Sequence, residues 1–127
     1  MRNRQSGCII NVSSVAGRMA LAAESAYCAS KFALEAMSEA LACDVKAHNI
    51  RIAIVEPGAI ETPIFIKSSS SPKDTLYPQS RRQHAIFQAS RKNHVSPFAV
   101  GEIIREIIDS SSGDGHREQY TDKKKMY

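Results

Sequence analysis

Two short, strongly apolar segments separated by a helical one constrain the fold of this chain more than any other feature. GCIINV (residues 7–12) and IRIAIV (residues 50–55) are rich in β-branched residues and show little polar alternation. This pattern is typical of strands buried on both faces of a sheet. The segment between them is long enough for the crossover that parallel strands require. The sequence therefore predicts a strand–helix–strand unit with a parallel sheet.

A helix is predicted over residues 25–47, because apolar side chains recur there at intervals of three and four. Charged residues such as Glu35 and Glu39 lie largely off this stripe, and Asn49 can adopt the left-handed conformation that ends a helix. The stripe consists of Ala26, Ala29, Ala33, Ala36 or Met37, Ala40, Leu41 and Val45.

The second half of the chain contains two further predicted helices. Pro57-Gly58 ends the second strand, and the serine-rich residues 61–74 are predicted to be mobile. A polar helix is expected over residues 79–93, and a better-marked one follows Ser96, which can cap it, with Pro97 in its first turn. The tail from 113 to 127 holds turn residues and charge. The apolar stripe of the last helix is Val100, Ile103, Ile104, Ile107 and Ile108.

Composition argues against several functional classes. No apolar run approaches the roughly 18 residues of a membrane span, and no leader pattern is present, so no membrane partner and a cytoplasmic location are expected. Cys8, Cys28 and Cys43 have no metal-ligand spacing and are interpreted as reduced thiols, with Cys28 a packing residue. The net charge is +4, but the eight aromatic residues do not interleave with the basic ones, so no nucleic-acid partner is expected.

Tyr27 and Lys31 stand four residues apart in the predicted helix, within the segment YCASK. Residues at this spacing share a helix face, so the ammonium group can reach the phenol. A nearby cation favours the phenolate form, and a phenol tuned in this way can pass a proton to or from a substrate oxygen. Spacing alone leaves two interpretations open, a catalytic pair and an ordinary surface pair.

Ser14 stands at the carboxyl end of the first predicted strand, 13 residues before Tyr27. Pro57-Gly58 ends the second strand at the same edge, which is where parallel α/β sheets bind ligands. A hydroxyl there can donate to a carbonyl oxygen and stabilise the charge that develops on it. The alternative is that Ser13 and Ser14 only begin or cap the following loop.

The segments GCIINVSSVAG, YCASK and VEPGAIETP, in this order and spacing, resemble the catalytic half of classical short-chain dehydrogenases/reductases. The resemblance is specific over residues 7–63. It implies an α/β fold, a partial Rossmann-like doubly wound parallel sheet that holds only the later strands and helices. Residues 1–127 would then be the C-terminal part of one NAD(P)-binding domain, with a catalytic core at 7–63, a variable substrate-binding region at 64–95, and a C-terminal helix and tail at 96–127.

The resemblance also implies a role for each matching residue. Ser14, which the family's spacing selects over Ser13, would polarise the substrate carbonyl. Tyr27 would donate or accept the proton, and Lys31 would bind the nicotinamide ribose and favour the phenolate. The residues implied to line the nicotinamide are Pro57, Gly58, Ala59 and Ile60, with the Ile60 backbone at the carboxamide and Thr62 at the carboxamide or the pyrophosphate.

The implied activity is hydride transfer between NAD or NADP and a small-molecule alcohol or ketone, with a lipid-like, steroid-like or other small apolar alcohol as the expected substrate class. The family commonly associates through the helix at 25–47 and the one before it, so a homodimer or homotetramer is expected of the full-length form. The alternative function is a non-catalytic relative that acts only through such subunit contacts.

One departure from the family lies at the front of the chain. The six glycines, at positions 7, 17, 58, 101, 113 and 115, form no G-x-G-x-x-G phosphate-binding turn, and no Asn-Asn-Ala-Gly stretch is present. The chain is therefore expected to begin past the middle of the fold. Its first strand would then be an open apolar edge, and we expect the isolated 127-residue chain to be marginally stable and to bind dinucleotide weakly.

Overall fold

A computed structural model of the protein describes residues 1–63, 76–90, 95–110 and 118–121. Short 3-10 turns at Arg2–Arg4, Val15–Gly17 and Lys46–His48 connect the longer elements. The strands and helices, in chain order, are β1 (Gly7–Val12), α1 (Ser25–Val45), β2 (Ile50–Glu56), α2 (Pro78–Ser90), α3 (Pro97–Asp109) and β3 (Glu118–Thr121).

The described strands form one parallel sheet in the order β1-β2-β3. In β1 and β2, Gly7 lies opposite Ile50 and Val12 opposite Val55, so the two strands end at the same edge of the sheet. The predicted strand–helix–strand unit is confirmed. The interpretation of residues 113–127 as turns and charge is wrong for β3, whose short polar sequence EQYT is a strand only because its backbone pairs with β2.

The core lies on β2 and the inner face of α3. Residues 52–56 of β2 are all buried, and Ala53 and Val55 pack with Ile107. The half-buried residues packed against that group are Cys8, Ile10, Val100, Ile103 and Ile104, so four of the five residues predicted for the α3 stripe face the core. Ile108 does not, and is 58% exposed, because the residue after Ile107 lies about 100° further round the helix.

The two ends of α3 are stabilised by polar contacts. As predicted, Ser96 Oγ accepts a hydrogen bond from the Phe98 N–H at 3.3 Å, and Pro97 occupies the first turn. At the other end, the Arg51 guanidinium on β2 donates to the Ile107 carbonyl at 3.0 Å and to Ser110 Oγ at 2.8 Å. These bonds satisfy C-terminal carbonyls that a helix cannot satisfy by itself.

The buried face of α1 differs from the predicted stripe. The helix ends as expected, with Asn49 in the left-handed conformation (φ 54°) after the turn at Lys46–His48. Its buried residues, however, are Cys28, Glu35, Ser38 and Ala42. Of the predicted stripe, Leu41 and Val45 are half-buried, and the exposed members are Ala26, Ala29, Ala33, Ala36, Met37 and Ala40.

Small polar residues can occupy the buried face because the sheet supplies hydrogen-bond partners. Asn11 Nδ2 on β1 donates to Ser38 Oγ at 2.8 Å, and the Ser38 hydroxyl donates to the Leu34 carbonyl at 2.6 Å. A buried hydroxyl satisfied on both sides loses little relative to water, so apolarity alone does not select the face that packs.

β1 and α2 depart from expectation in smaller ways. β1 is half-buried, with Val12 exposed, whereas β2 is buried on both faces, as the sequence predicted for both strands. Within the described part of the chain, the side of β1 away from β2 has no strand paired to it. α2 confirms a helix in its predicted place, beginning at Pro78. Residues 64–74 of the predicted mobile segment and residues 91–93 lie outside the described residues.

Candidate active site

The turn that carries Ser14 continues the β1–β2 ladder beyond the strands. The Ser13 N–H donates to the Val55 carbonyl at 2.8 Å, and the Val15 N–H donates to the Pro57 carbonyl at 3.2 Å. Ser14 therefore lies beside Pro57 at the carboxyl edge of the sheet, where ligands bind in parallel α/β folds.

Ser14 also caps the 3-10 turn, which was the alternative interpretation of its hydroxyl. Its Oγ accepts a hydrogen bond from the Ala16 N–H at 3.2 Å, from a backbone in extended conformation. Accepting this bond leaves the hydroxyl proton available. In the described part of the chain that proton has no acceptor, so the capping contact and donation to a substrate carbonyl are compatible.

Gly17 allows this turn to pack closely against α1. A Cβ atom added at Gly17 would lie 2.7 Å from Ser13 Oγ, closer than real Cβ contacts come, and 3.0 Å from Glu35 Cγ, closer than most of them. Ser13 is only 4% exposed, and Glu35 is also buried. The absence of a side chain at Gly17 thus sets the position of the turn that carries Ser14.

A buried carboxylate holds the same turn from the side of β2. Glu56, the last residue of β2, is 3% exposed, and its Oε1 lies 4.0 Å from Nε of Arg18, which follows the 3-10 turn. Sequence reasoning missed this pair. The available signal was a carboxylate at the end of an otherwise apolar strand, directly before Pro57.

Tyr27 and Lys31 lie in the first two turns of α1 and reach the same edge. Lys31 Nζ donates to the Val12 carbonyl at 3.0 Å and lies 5.8 Å from the centroid of the Tyr27 ring. Tyr27 is 43% exposed, and its hydroxyl has no hydrogen-bond partner among the residues that the structure describes. Cys28, by contrast, is buried, and its Sγ accepts a hydrogen bond from the Leu21 N–H at 3.3 Å, which fits a packing role.

The Lys31 contact links the tyrosine–lysine pair to the strand that leads to Ser14. Val12, which accepts the hydrogen bond, is two residues before Ser14. The contact therefore joins the tyrosine–lysine pair of α1 to the strand end that carries the serine.

The segment after β2 is held by Val95, just before α3. The Val95 N–H donates to the Ala59 carbonyl at 2.9 Å, and the Glu61 N–H donates to the Val95 carbonyl at 3.1 Å. Backbone groups alternate in direction along an extended chain, so those of Ile60 point away from Val95. Neither the N–H nor the C=O of Ile60 has a backbone partner within the described residues. Thr62 is half-buried one residue beyond Glu61.

These groups fit the nicotinamide end of a dinucleotide. Lys31 uses one of its three N–H donors on Val12, which leaves two for ribose hydroxyls. The Ile60 backbone offers a donor and an acceptor, as a carboxamide requires. At Gly58 an added Cβ would meet nothing within 4 Å, so the edge is open there. The described residues hold no group of three His, Cys, Asp or Glu side chains that could bind a metal ion, and none of their helices is long and apolar enough to cross a membrane.

Comparison with known proteins agrees with this geometry. A family model described as short chain dehydrogenase matches residues 1–73, more than half of the 127 residues. The 17-beta-hydroxysteroid dehydrogenase type 1 of Mus musculus is 37% identical over 109 residues, which cover 86% of this chain and 32% of that protein.

Two solved structures resemble the chain over nearly its whole length. A short-chain dehydrogenase from Streptomyces avermitilis is 30% identical, with a TM-score of 0.70, covering 96% of this chain and 44% of that one. A 4-hydroxyisoleucine dehydrogenase complexed with NADH and succinate is 27% identical, with a TM-score of 0.61, covering 92% of this chain and 46% of that one. The chain thus spans less than half the length of these relatives, and the likeness bears out the predicted Rossmann-like α/β fold.

Proposed function

The chain belongs to the short chain dehydrogenase family, and from that premise we propose that it carries the catalytic residues of an NAD(P)-dependent oxidoreductase acting on a hydroxyl/carbonyl pair. One observation carries the proposal. Lys31 donates to the Val12 carbonyl at 3.0 Å while its ammonium lies 5.8 Å from the Tyr27 ring centroid. This arrangement supports catalysis over an ordinary surface pair, because a surface pair has no need to engage the strand end that carries Ser14.

The proposed reaction assigns one task to each residue. In reduction, the Ser14 hydroxyl donates a hydrogen bond to the substrate carbonyl and stabilises the negative charge that develops on its oxygen. The Tyr27 O–H transfers its proton to that oxygen, which becomes the hydroxyl of the product. The Lys31 ammonium holds the nicotinamide ribose and favours the tyrosinate left behind, which regains its proton from solvent.

The cofactor would supply the hydride that the carbonyl carbon receives, and its ring would lie over the edge formed by residues 57–62. Pro57, Gly58, Ala59 and Ile60 would line the nicotinamide, and Thr62 would contact the carboxamide or the pyrophosphate. The fit of Lys31 and of the Ile60 backbone supports this placement. A relative of 27% identity was solved with NADH. The choice between NAD and NADP stays open.

A small apolar alcohol or ketone is the proposed substrate class. A relative of 37% identity is named as a hydroxysteroid dehydrogenase, which favours a steroid-like or other lipid-like molecule. Just before α2, in the region expected to bind substrate, Leu76 (91%) and Tyr77 (70%) are exposed to solvent. Such side chains can cover an apolar substrate without specifying its structure.

We further propose that the full-length form associates as a homodimer or homotetramer through α1. Its outward face presents alanines and half-exposed larger residues, including Phe32 (45%) and Met37 (53%). Small residues let two helices approach closely, and burial of the exposed apolar area would favour their association. This same face is what the non-catalytic alternative would use. A cytoplasmic location remains a prediction.

Replacement of Tyr27 by Phe tests the proposed chemistry. In the protein expressed from its complete open reading frame, Tyr27→Phe should reduce NAD(P)H-dependent ketone reduction by at least about a hundredfold, the usual scale of a lost general acid. Cofactor binding, measured by fluorescence titration, should stay within about twofold, since Lys31 and the residue 57–62 edge are unchanged.

Two outcomes would reject the proposal. If Tyr27→Phe keeps wild-type turnover, the assignment of the proton donor is wrong. If the wild-type protein neither turns over ketones nor binds cofactor, but forms a stable oligomer that a charged substitution such as Ala33→Glu disrupts, the non-catalytic alternative replaces the enzyme.

A further inference from the structure

A polar contact joins the middle of α1 to the end of β1. Asn11 Nδ2 donates to Ser38 Oγ at 2.8 Å, and the Ser38 hydroxyl donates to the Leu34 carbonyl at 2.6 Å. Ser38 is fully buried and Asn11 is half-buried. A serine hydroxyl has a single proton, and here that proton is used on Leu34, so only a donor such as the Asn11 amide fits opposite it. The contact is therefore specific to this pair of groups.

The face of α1 that this contact buries also carries Lys31. Glu35 and Ser38, both buried, lie four and seven positions after Lys31, and residues at these spacings share a helix face. The alanines of the predicted stripe lie on the opposite side of the helix and are exposed. If that stripe were buried instead, Lys31 would point away from β1. The rotation of α1 about its axis thus decides whether the Lys31 ammonium can meet the Val12 carbonyl.

Apolar packing alone does not account for this rotation. The buried face consists of Cys28, Glu35, Ser38 and Ala42, so it is less apolar than the exposed alanine stripe. The hydrogen bond from Asn11 distinguishes the two faces, because turning α1 would leave the half-buried amide without its partner. A single buried asparagine fixes the register of some coiled coils in the same way. Asn11 directly precedes Val12, whose carbonyl accepts from Lys31 at 3.0 Å, so both contacts of α1 use neighbouring residues of β1.

We propose that Asn11 and Ser38 are positioning residues that hold Lys31 at the end of β1, beside Tyr27. This inference rests on the proposed function and adds two residues that act through Lys31. Without their hydrogen bond α1 can rotate, and Lys31 loses the carbonyl that keeps its ammonium 5.8 Å from the Tyr27 ring centroid. A cation that moves away favours the phenolate less. In oxidation the phenolate accepts the proton of the alcohol, so the acid limb of the pH profile should move to higher pH.

Competitive labelling of lysines tests the position of Lys31 without any turnover. In the protein expressed from its complete open reading frame, limiting acetic anhydride and mass spectrometry give the labelling rate of Lys31 relative to Lys46, which is exposed beyond the end of α1. Wild-type Lys31 should label more slowly than Lys46, because its ammonium donates to Val12. Ser38→Ala should raise the Lys31-to-Lys46 ratio at least about threefold, the scale of one neutral hydrogen bond.

The pH profile of NAD(P)-dependent alcohol oxidation gives a second measurement. In Ser38→Ala the acid limb of kcat/KM should move upward by about half a pH unit, which corresponds to a threefold change in an equilibrium. Ser38→Thr keeps the hydroxyl, and a threonine in a helix can bond the carbonyl of the preceding turn, so it should retain the wild-type ratio and profile.

Two further variants separate positioning from stability. Asn11→Leu/Ser38→Ala removes both partners and leaves no group unpaired, so most of the stability lost in Ser38→Ala should return while the labelling ratio and the pH profile stay shifted. Arg51→Met removes a hydrogen bond at the end of α3 and should change neither measurement.

The inference is overturned if the double variant returns the ratio and the profile to wild-type values, because the contact would then serve stability alone. An unchanged ratio in Ser38→Ala also overturns it. If the wild-type protein oxidises no alcohol yet Ser38→Ala raises the ratio, the proposed function fails and the positioning of Lys31 stands. If alcohol is oxidised and neither the ratio nor the profile responds, the positioning role fails and the proposed function stands.

Discussion

Substitution of Gly17 by Ala is the sharpest test of how the serine-bearing turn is positioned. The added Cβ would lie 2.7 Å from Ser13 Oγ and 3.0 Å from Glu35 Cγ. Both neighbours are buried, and Glu35 belongs to α1, so neither can move without disturbing the packing of the turn. We expect the turn to shift away from α1, and Ser14 to shift with it.

The size of the effect follows from two opposing terms. Overpacking of a well-packed site costs about 1–3 kcal/mol. Gly17 does not have a positive φ, so alanine also gains about 0.4–1 kcal/mol by restricting the unfolded chain. The net expectation is a loss of about 1–2 kcal/mol in the free energy of unfolding.

Urea denaturation of matched variants measures this loss. Gly101→Ala is the control, because an added Cβ there meets nothing within 4 Å, and alanine inside a helix should stabilise by about 0.8–1 kcal/mol. Ser13→Ala in the Gly17→Ala background removes the nearest clashing atom and should recover part of the loss. The reasoning is refuted if Gly17→Ala is as stable as Gly101→Ala, or if Ser13→Ala recovers nothing.

Two further predictions concern the fold. Arg51→Met removes the donor to Ile107 and Ser110 and should cost about 1–3 kcal/mol in urea denaturation; Arg105→Met breaks only an exposed pair with Asp109, at 3.8 Å, and should cost less than about 0.5 kcal/mol. Equal losses would contradict the role of Arg51 at the end of α3. The 127-residue chain purified by itself should unfold at low denaturant and bind NADH weakly, because β1 has no second strand partner among the described residues. A cooperative transition combined with micromolar NADH binding would disprove that expectation.

The features predicted correctly from the sequence are those set by local chemistry. Three elements are predictable from a few neighbouring residues. They are the β-branched run of β2, the left-handed Asn49 that ends α1, and the Ser96-Pro97 start of α3. Because β1 and β2 run parallel, their carboxyl ends lie at the same edge of the sheet. The meeting of the serine turn with the residues after β2 therefore follows from topology.

The features that were missed depend on contacts between distant residues. β3 is a strand because β2 offers it a partner, and the buried face of α1 is chosen by Asn11 on β1, which satisfies Ser38. Gln83 on α2 donates to the Glu24 carboxylate, and because the two residues are 59 apart, no local pattern joins them. In each case a polar residue acquires its role from a partner that only the folded chain brings near.

The same reasoning explains why buried carboxylates flank the serine turn. Burial of an ionisable group is costly unless its contacts compensate, yet Glu35 and Glu56 are both buried, on α1 and β2 respectively. Gly17 brings the turn against Glu35, and Arg18 brings it toward Glu56. The turn is thus held between the helix that carries Tyr27 and Lys31 and the strand that leads to Pro57. A variant that destabilises this turn should therefore also displace Ser14 and reduce turnover. Urea denaturation and turnover, both measured on Gly17→Ala, would show whether the losses of stability and of activity occur together.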